Sequence, residues 1–394
     1  MPKKSVTEID CAGRRVLVRV DFNVPLDGGR VTEDTRITAA LPTLQHCLKR
    51  GAALVVASHL GRPRGKPDPK YSLRPVAERL QELLGLPVSL APDCVGPEVE
   101  AQARALQPGQ VLLLENLRFH PEEEANDEGF ARQLAALADC YVDDAFAAAH
   151  RAHASIEAIA RLLRPAVAGL LMAQELEALG RILEAPRRPV VAILGGAKVS
   201  DKLALVEHLI DKVDGLLIGG GMAYTFLAAL GHGVGKSLLE ADRVEAARAA
   251  MARARGAGVS VGLPVDVVAA PAIDGTEGIR TVAVREIPRD LMGLDIGPAT
   301  VAQFEAALKA AGTVVWNGPM GVFEKPPFAA GTMGVARAVA GCGAFSVIGG
   351  GDTIAAVHAA GVTGKIGYVS TAGGAFLEFL EGRVLPGVAV LDDA

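Results

Sequence analysis

The sequence of 394 residues has few aromatic side chains, no excess of positive charge and no paired-cysteine motif. Its net charge of −5 argues against general nucleic-acid binding, because affinity for a phosphate backbone comes from clustered Lys and Arg. The five cysteines form no CxxC pair and no zinc spacing with histidine, so we interpret them as buried thiols in a reducing compartment. Any anion site in this chain must therefore be built locally.

Two further absences concern export and membranes. The start, MPKKSVTEID, has no apolar stretch after its lysines, so we expect no signal peptide. The longest uncharged run, 215–235, is long enough to span a membrane, but it contains seven glycines and His232. We therefore expect a cytoplasmic protein with no membrane or nucleic-acid partner. Since no repeat or exposed apolar strand suggests assembly, we expect a monomer.

Short apolar segments alternate with amphipathic segments along the whole chain, which predicts an α/β protein. Nearly continuous apolar strands between helices are typical of parallel sheets covered on both faces. Because the chain exceeds the usual size of a single core, we predict two doubly wound, Rossmann-like parallel-sheet lobes. The predicted strands are 14–20, 51–58, 110–116 and 139–146 in the first half, and 189–194, 215–220, 258–266, 312–318, 344–350 and 366–371 in the second.

The segment 160–189 is the predicted join between the two lobes. Its apolar residues recur at helical spacing from Val167 to Leu183, and clusters of proline and arginine flank it. We predict an N-terminal lobe over 1–168, an interlobe helix over 169–185 and a C-terminal lobe from 186. An ordinary surface helix is the alternative for this segment.

Strand ends in the first half are rich in arginine, histidine and asparagine. In open parallel sheets, ligands bind beyond the carboxyl ends of the strands. Four arginines lie at or shortly after such ends: Arg36, Arg62, Arg118 and Arg151. Because the planar guanidinium binds carboxylate or phosphate through paired hydrogen bonds, the set predicts a site for a small phosphorylated acid. Solvated surface arginines are the alternative.

Polar neighbours accompany these arginines. Asp21 and Asn23 are candidates to receive hydroxyl groups of the same ligand. His59 and His150 are candidate general bases, but we favour phosphate donation or packing for both.

Glycine-rich strand ends dominate the second half instead, at 192–202, 216–224, 345–353 and 369–376. In FSVIGGGDT (345–353), Asp352 and Thr353 follow three glycines, and a carboxylate beside a hydroxyl suits hydrated magnesium that carries phosphates. A role for Asp352 as a helix N-cap is the alternative. Four such ends in one half of the chain predict a nucleotide site.

Lys198 and Lys202 stand four residues apart, directly after Gly195 and Gly196, which places them on one face of a predicted helix. Lysines near a helix N-terminus oppose the helix dipole unless an anion is bound, so we predict phosphate binding. Two lysines pointing into water are the alternative. The sequence GHGVGKS (231–237) ends like a Walker A loop, but Leu230 occupies the place of its first glycine. We expect no phosphate role for this segment.

Together these motifs resemble those of the phosphoglycerate kinase family. The matching stretches follow the family order: RVDFNVP (19–25), SHLGRP (58–63), LLENLRFHPEEE (113–124), HRAHAS (150–155), GGAKVSDK (195–202), WNGPMGVFE (316–324) and GGGDT (349–353). The resemblance implies a glycolytic phosphotransferase that moves a phosphoryl group between 1,3-bisphosphoglycerate and ADP. Another carboxylate kinase that forms an acyl phosphate, or an inactive nucleotide-binding protein, remains an alternative.

The resemblance also assigns residues. It implies that 3-phosphoglycerate is held by Asp21, Asn23, Arg36, His59, Arg62, Arg118, His150 and Arg151. It implies that ATP or ADP is held by Gly196, Ala197, Lys202, Gly220, Gly221, Asn317, Pro319, Glu324, Gly349, Gly350, Gly351, Asp352, Thr353 and Gly374, with Mg²⁺ on Asp352. The implied catalytic set is Arg36, Lys198, Lys202, Gly350 and Gly373, which we expect to act together when the lobes close.

Three further expectations follow from the resemblance. The segment 377–394, beyond a C-terminal lobe over 186–376, is expected to pack back on the N-terminal lobe. Ala372 and Ala147 replace glycines that are usual in the family, which is harmless unless the backbone φ is positive or phosphate touches that backbone. No general base is needed, because a carboxylic acid ionises near pH 4.

Overall fold

The computed structural model describes residues 2–275 and 277–394 and divides into two compact units. Unit 1 comprises the chain up to Glu177 together with Val384–Ala394, and unit 2 comprises Ala178–Arg383. Among the described residues, no helix combines the length and the apolar character that crossing a membrane requires.

Unit 1 is built on a parallel sheet of six strands. The strands of unit 1, inside and outside this sheet, are β1 (Arg15–Arg19), β2 (Leu26–Asp27), β3 (Arg30–Val31), β4 (Ala53–Ala57), β5 (Val88–Leu90), β6 (Val111–Leu113), β7 (Cys140–Asp143) and β8 (Ala166–Ala168). The sheet has the order β5-β6-β4-β1-β7-β8, and β2 and β3 form a separate hairpin. All residues of β4 and β7 are buried, as expected for strands that helices cover on both faces.

The helices of unit 1 follow the strands in alternation. They are α1 (Thr35–Lys49), α2 (Arg74–Leu84), α3 (Pro97–Ala105), α4 (Pro121–Glu124), α5 (Glu128–Ala135), α6 (Ile159–Leu162) and α15 (Pro386–Ala389). The boundary between the units falls within α7 (Leu170–Leu183), after Glu177. Local sequence sets their ends. Helix α2 has Pro75 in its first turn and ends at Gly85, whose φ of +69° suits a glycine cap.

Unit 2 repeats the architecture with a second parallel sheet of six strands. The strands of unit 2, inside and outside this sheet, are β9 (Val190–Leu194), β10 (Gly215–Ile218), β11 (Ser260–Gly262), β12 (Asp266–Ala270), β13 (Arg280–Ala283), β14 (Met292–Ile296), β15 (Thr313–Asn317), β16 (Phe345–Gly349) and β17 (Tyr368–Ser370). The order of the parallel strands is β11-β10-β9-β15-β16-β17. Strands β9 to β11 are added toward one edge of the sheet and β15 to β17 toward the other, so the strand order reverses between β9 and β15. Strands β12, β13 and β14 form a small antiparallel sheet.

Helices flank this second sheet: α8 (Leu203–Ile210), α9 (Ala223–Ala229), α10 (Val244–Gly256), α11 (Pro298–Lys309), α12 (Ala330–Gly341), α13 (Gly351–Ala359) and α14 (Gly374–Leu380). The predicted fold class, two parallel α/β sheets, is confirmed. In an open sheet of this kind, the point where strand order reverses is the expected ligand site. In unit 2 that point lies between the ends of β9 and β15.

The structure departs from the predicted elements in three places. The helical spacing that starts at Val167 is wrong for its first residues, because Ala166–Ala168 pair with β7 as an edge strand. The predicted strand 258–266 is two strands, β11 and β12, in different sheets. The C-terminal return to unit 1 begins at Val384, later than the expected 377, because α14 packs on α8 in unit 2.

Candidate functional site

The centre of the unit 1 site is Arg19, the last residue of β1, which is 1% exposed. Its Nε donates to Ser155 Oγ at 2.8 Å, and Nη1 donates to the carbonyl of Val20. Its Nη2 lies 3.2 Å from His59 Nδ1. A buried charge this well bonded is fixed in place, so Arg19 anchors the residues around it. No role of this arginine was predicted from the sequence.

The residues after β1 join this anchor to the start of α1. Arg36, the second residue of α1, donates from Nη1 to Asp21 Oδ2 at 2.5 Å. Asp21 Oδ1 also accepts the backbone N–H of Asn23 at 3.0 Å and lies 3.9 Å from His59 Nε2. Asn23 Oδ1 accepts the N–H of Gly61 at 2.8 Å. The structure therefore brings together Asp21, Asn23, Arg36 and His59 as predicted.

Three further arginines follow the strands β4, β6 and β7, and their surroundings differ. Arg118 follows β6, is nearly buried, and donates from Nη1 to the carbonyl of Gly61 at 2.8 Å. Arg151 Nε lies 3.2 Å from His150 Nε2, which accepts its hydrogen bond. Arg62 has an exposed side chain. We call Arg19, Asp21, Arg36, His59 and Arg118, with Arg62, His150, Arg151 and His153, the cationic site.

The positive potential of the cationic site is visible in its histidines. Burial, followed by the charges of Arg19 and Arg118, holds the pKa of His59 well below its usual value. The same causes lower the pKa of His153 to about 3. Both imidazoles are therefore neutral at pH 7, which disfavours a role for either as a proton-donating imidazolium. A site that suppresses cationic histidine favours an anion.

A buried carboxylate, that of Glu123, helps to hold the side chain of Arg19 in place. Glu123 is fully buried and accepts hydrogen bonds from the N–H and the hydroxyl of Ser155, at 2.9 and 2.5 Å. Burial raises the pKa of Glu123, and the charge of Arg19 opposes that rise. Ser155 thus links Glu123 to Arg19, which fixes the orientation of the guanidinium.

In unit 2, Lys202 lies at the point where strand order reverses. Its Nζ donates to the carbonyls of Gly195 and Asn317, at 2.7 and 3.0 Å, which follow β9 and end β15. Burial lowers the pKa of Lys202 to about 8, while Asp201 and Asp352 oppose this shift. The predicted helix through Lys198 is wrong: α8 begins at Leu203, and Lys198 is exposed in the preceding turn.

Close backbone approach shapes the loop after β15. Gly318 has φ of +96°, and a Cβ there would stand 2.4 Å from the carbonyl oxygen of Gly195. Its N–H donates to Thr353 Oγ1 at 2.7 Å, while Asn317 Nδ2 donates to the carbonyl of Gly349 at 2.7 Å. These bonds connect the end of β15 to the start of α13. The loop after β15 is therefore held in position by Asn317, Gly349 and Thr353.

Two helix starts face this loop region. Gly350, with φ of +94°, precedes α13, whose first residues are Gly351, Asp352 and Thr353. The alternative of Asp352 as N-cap is wrong, because Gly350 occupies that position. The Asp352 side chain is exposed, and its charge acts on Lys202. An exposed carboxylate beside a helix N-terminus fits a Mg²⁺ ion that accompanies phosphates.

The second helix start is the turn before α14. Gly373 precedes the helix with φ of +56°, and Gly374 is its first residue. A Cβ at Gly373 would meet no atom within 4 Å, so the space above this backbone is open. The conformation there needs glycine, and the open space leaves room for a ligand.

A cavity of about 490 Å³ opens beside these loops within unit 2. Seven residues predicted to bind nucleotide line it: Gly196, Ala197, Gly220, Gly221, Pro319, Glu324 and Asp352. Apolar side chains such as Leu238, Met292 and Val322 provide much of the wall. An apolar chamber with carboxylates at its rim suits a base and a ribose. We call it the glycine-lined cavity.

Comparisons with known proteins identify the family of this chain. A family model described as phosphoglycerate kinase matches residues 6–383. The chain belongs to the phosphoglycerate kinase family. Phosphoglycerate kinases of Pelotomaculum thermopropionicum and Moorella thermoacetica are each 57% identical to it over 393 residues, which is 100% of both chains in each case.

Solved structures of the family share its fold. The phosphoglycerate kinase of Coxiella burnetii superimposes with a TM-score of 0.93 at 43% identity, covering 99% of this chain and 98% of the other. That of Pyrococcus horikoshii OT3 gives 0.80 at 33% identity, with the same coverages.

Two alanines, Ala372 and Ala147, lie where the family resemblance led us to expect glycine. Among the described residues other than glycine, only Arg64 and Asn126 have positive φ. Ala372 and Ala147 therefore occupy ordinary backbone conformations, and neither carries the strain that we considered for them.

Some residues of both sites were missed from the sequence. Arg19, Glu123 and His153 lie within quoted motifs, but a charged residue in an apolar strand was the only available signal for Arg19. Lys236, in the segment for which we expected no phosphate role, lines the glycine-lined cavity. Its motif failed the Walker A test, and nothing in the spacing predicted that the loop would return to the cavity.

Proposed function

We propose that this chain catalyses the reversible transfer of a phosphoryl group from 1,3-bisphosphoglycerate to ADP, giving 3-phosphoglycerate and ATP in glycolysis. The observation that carries the proposal is the pairing of two unlike anion sites, one in each unit. The cationic site suits a small acid with a phosphate group, and the glycine-lined cavity suits a nucleotide. Membership of the phosphoglycerate kinase family supports this assignment.

In the cationic site, we propose that Arg36, Arg62, Arg118 and Arg151 bind the charged groups of 3-phosphoglycerate. Asp21 and Asn23 would accept and orient its hydroxyl. The neutral imidazole of His59 would donate from Nε2, since Nδ1 faces the guanidinium of Arg19. Ordering by Arg19 and Glu123 would keep these groups in place before the ligand arrives.

In unit 2, we propose that the base lies in the glycine-lined cavity, with Glu324 at the ribose. Lys202, Thr353 and the backbone at Gly350, Gly351, Gly373 and Gly374 would surround the phosphates, with Lys198 near them. Asp352 would hold Mg²⁺, which would neutralise phosphate charge when it is bound with the nucleotide.

The proposed transfer needs no general base. When ATP is the donor, the attacking carboxylate is already ionised at neutral pH; when ADP is the acceptor, the carboxylate that leaves the acyl phosphate needs no proton. The residues then contribute alignment and charge stabilisation, with Arg36 acting in unit 1 and Lys202 in unit 2. We also propose that the protein acts in the cytoplasm as a monomer.

The test is ATP-dependent phosphorylation of 3-phosphoglycerate with magnesium, coupled to NADH oxidation through added glyceraldehyde-phosphate dehydrogenase. We expect turnover with 3-phosphoglycerate and none when acetate replaces it, measured as acyl phosphate by trapping with hydroxylamine. Turnover of acetate alone would assign a different carboxylate kinase. If the protein bound nucleotide but turned over neither acid, it would be an inactive nucleotide-binding protein.

A further inference from the structure

Three side chains of different chemistry meet on unit 1, and none of them is among the residues assigned to the cationic site. Asp93 and Cys94 lie in the loop after β5, and His120 follows a short helical turn after the neighbouring strand β6. Their carboxylate oxygen, thiol sulfur and imidazole nitrogen all lie within 4.8 Å of one another. No other group of three or more such side chains was found in the described part of the chain.

The three ligand atoms are held by surrounding contacts. His120 Nε2 lies 2.8 Å from Asp93 Oδ1, and the same oxygen accepts the backbone N–H of Cys94 at 2.6 Å. The imidazole stacks on Phe130 with a centroid distance of 5.2 Å and an interplanar angle of 28°. The ring therefore has a defined orientation, and both carboxylate and thiol belong to one short loop.

Burial is graded across the cluster. The Cys94 side chain is fully buried, whereas the side chains of His120 and Asp93 are 27% and 46% exposed. A metal ion arriving from solvent would thus meet the carboxylate and imidazole first, with the sulfur as the innermost ligand. A fourth position would remain on the solvent side for water.

We propose that Asp93, Cys94 and His120 form a binding site for one divalent transition-metal ion of the Zn²⁺ class. A mixed set of sulfur, nitrogen and oxygen ligands is typical of zinc, whereas Mg²⁺ and Ca²⁺ prefer oxygen ligands throughout. This site is therefore distinct in chemistry from the proposed magnesium position at Asp352.

The pair formed by Asp93 and His120 needs only a small adjustment to accept the ion. Tetrahedral ligands at zinc–nitrogen and zinc–oxygen distances of about 2.0–2.1 Å stand about 3.3 Å apart. The ion would replace the direct contact between Asp93 and His120, which requires these two atoms to separate by less than about 1 Å. Both side chains are partly exposed, so they have room to move.

Nucleophilic catalysis is the other common use of a thiol beside an imidazole, and the structure disfavours it. Reactive thiols are low in pKa and accessible to a substrate. Burial raises the pKa of the Cys94 thiol well above its usual value, and the imidazole nitrogen nearest to Asp93 is already engaged.

Cobalt(II) titration of the reduced, nucleotide-free protein in a phosphate-free buffer tests the proposal. We expect binding of one equivalent, with a thiolate-to-cobalt charge-transfer band in the near ultraviolet and displacement of cobalt by zinc. Cys94→Ser should abolish that band. His120→Gln should weaken the affinity by about tenfold or more. Cys342→Ser and His358→Gln, which change a thiol and an imidazole of unit 2, should bind as the wild type does.

Asp93→Asn is a variant that we expect to fold normally, because the half-exposed side chain of Asp93 can change without disturbing the core. It separates loss of metal binding from loss of folding. This variant should keep the wild-type circular dichroism and yet bind cobalt more weakly. Absence of a charge-transfer band in the wild type would overturn the proposal. A band of equal strength in Cys94→Ser, or unchanged affinity in both His120→Gln and Asp93→Asn, would overturn it as well.

Discussion

The proposed anion sites of the two units lie at the carboxyl ends of similar parallel sheets, but they are built from different groups. In unit 1, buried or half-buried charged side chains face one another, as Arg19, Arg36 and Arg118 do around His59. In unit 2, backbone segments approach one another closely, and the part-buried ammonium of Lys202 donates to the carbonyls of Gly195 and Asn317. The same α/β frame therefore supports either design.

The difference follows from the ligands that each design can hold. Arginine forks bind the two ends of a small acid directly and give it a fixed orientation. A row of phosphates is better served by helix starts and bare backbone, which only glycine leaves accessible. Since both units share a frame, specificity resides in the loops after the strands rather than in the sheets. Substitutions in the two sites should fail in different ways.

The largest effect is expected at Arg36. Arg36→Ala should lower kcat about 10³-fold, or about 4 kcal/mol of transition-state stabilisation, because this guanidinium is proposed to act on the transferring phosphoryl group. The coupled assay measures kcat and KM separately.

Arg79→Ala is the matched control for Arg36→Ala. Arg79 also belongs to unit 1 and pairs with carboxylates, Asp34 and Glu82, but it lies outside the cationic site. It should keep the wild-type kcat. If Arg36→Ala raised KM and left kcat unchanged, Arg36 would contribute to substrate binding but not to stabilisation of the transition state.

Lys202 should give the next effect. Lys202→Met keeps the length of the side chain but removes the ammonium, and it should lower kcat about 10²-fold, as loss of one preorganised donor does. Lys198→Met is the comparison, because Lys198 is exposed and free of the strand ends. Equal losses in the two variants would contradict the special position of Lys202.

The pKa of Lys202 gives this prediction a pH dependence. A value of about 8 means that the free protein loses the ammonium as pH rises through 8, so kcat/KM should fall there. Bound phosphates favour the charged form, so the fall in kcat should lie at higher pH. Lys202→Arg, which stays charged, should show no fall near pH 8 even if its activity is lower.

The sequence predicted the parallel sheets well because buried parallel strands leave long apolar runs. It missed β5 and β8, which have three residues each, and these runs are too short for periodicity to distinguish from helix. It also missed the antiparallel sheet of β12, β13 and β14. Strand β13 is mostly exposed and therefore lacks an apolar signal.

Residues of the two candidate sites could be named from the sequence where a motif placed them at a strand end, as for Asp21 or Asp352. Arg19 was not, because its role depends on contacts with Ser155 and His59, which are distant in sequence. Lys236 and the apolar wall of the glycine-lined cavity likewise depend on tertiary folding. The metal site proposed at Asp93, Cys94 and His120 shows the same limit, since its spacing matches no sequence pattern.

Gly318 tests the claim that unit 2 relies on close backbone approach. Gly318→Ala should lower the free energy of unfolding by about 2–4 kcal/mol, from a left-handed backbone and a Cβ placed against the carbonyl of Gly195. Gly343→Ala is matched, since its φ of +75° is also positive but its Cβ would meet nothing within 4 Å. It should lose only about 1–2 kcal/mol. Equal losses in urea unfolding would remove the argument for close packing.

Ala372→Gly should have the smallest effect, and it tests whether this departure from the usual family glycine matters. Because Ala372 has no positive φ, restoring glycine relieves no strain and instead adds freedom to the unfolded chain. We expect a loss of about 0.4–1 kcal/mol in stability by urea unfolding. The value of kcat should change by less than about twofold, which is about 0.4 kcal/mol of barrier. Since Ala372 is buried beside Gly373, a large gain in nucleotide affinity would instead mean that its methyl group obstructs the phosphates. In that case, unit 2 would depend on bare backbone even where the conformation itself does not require glycine.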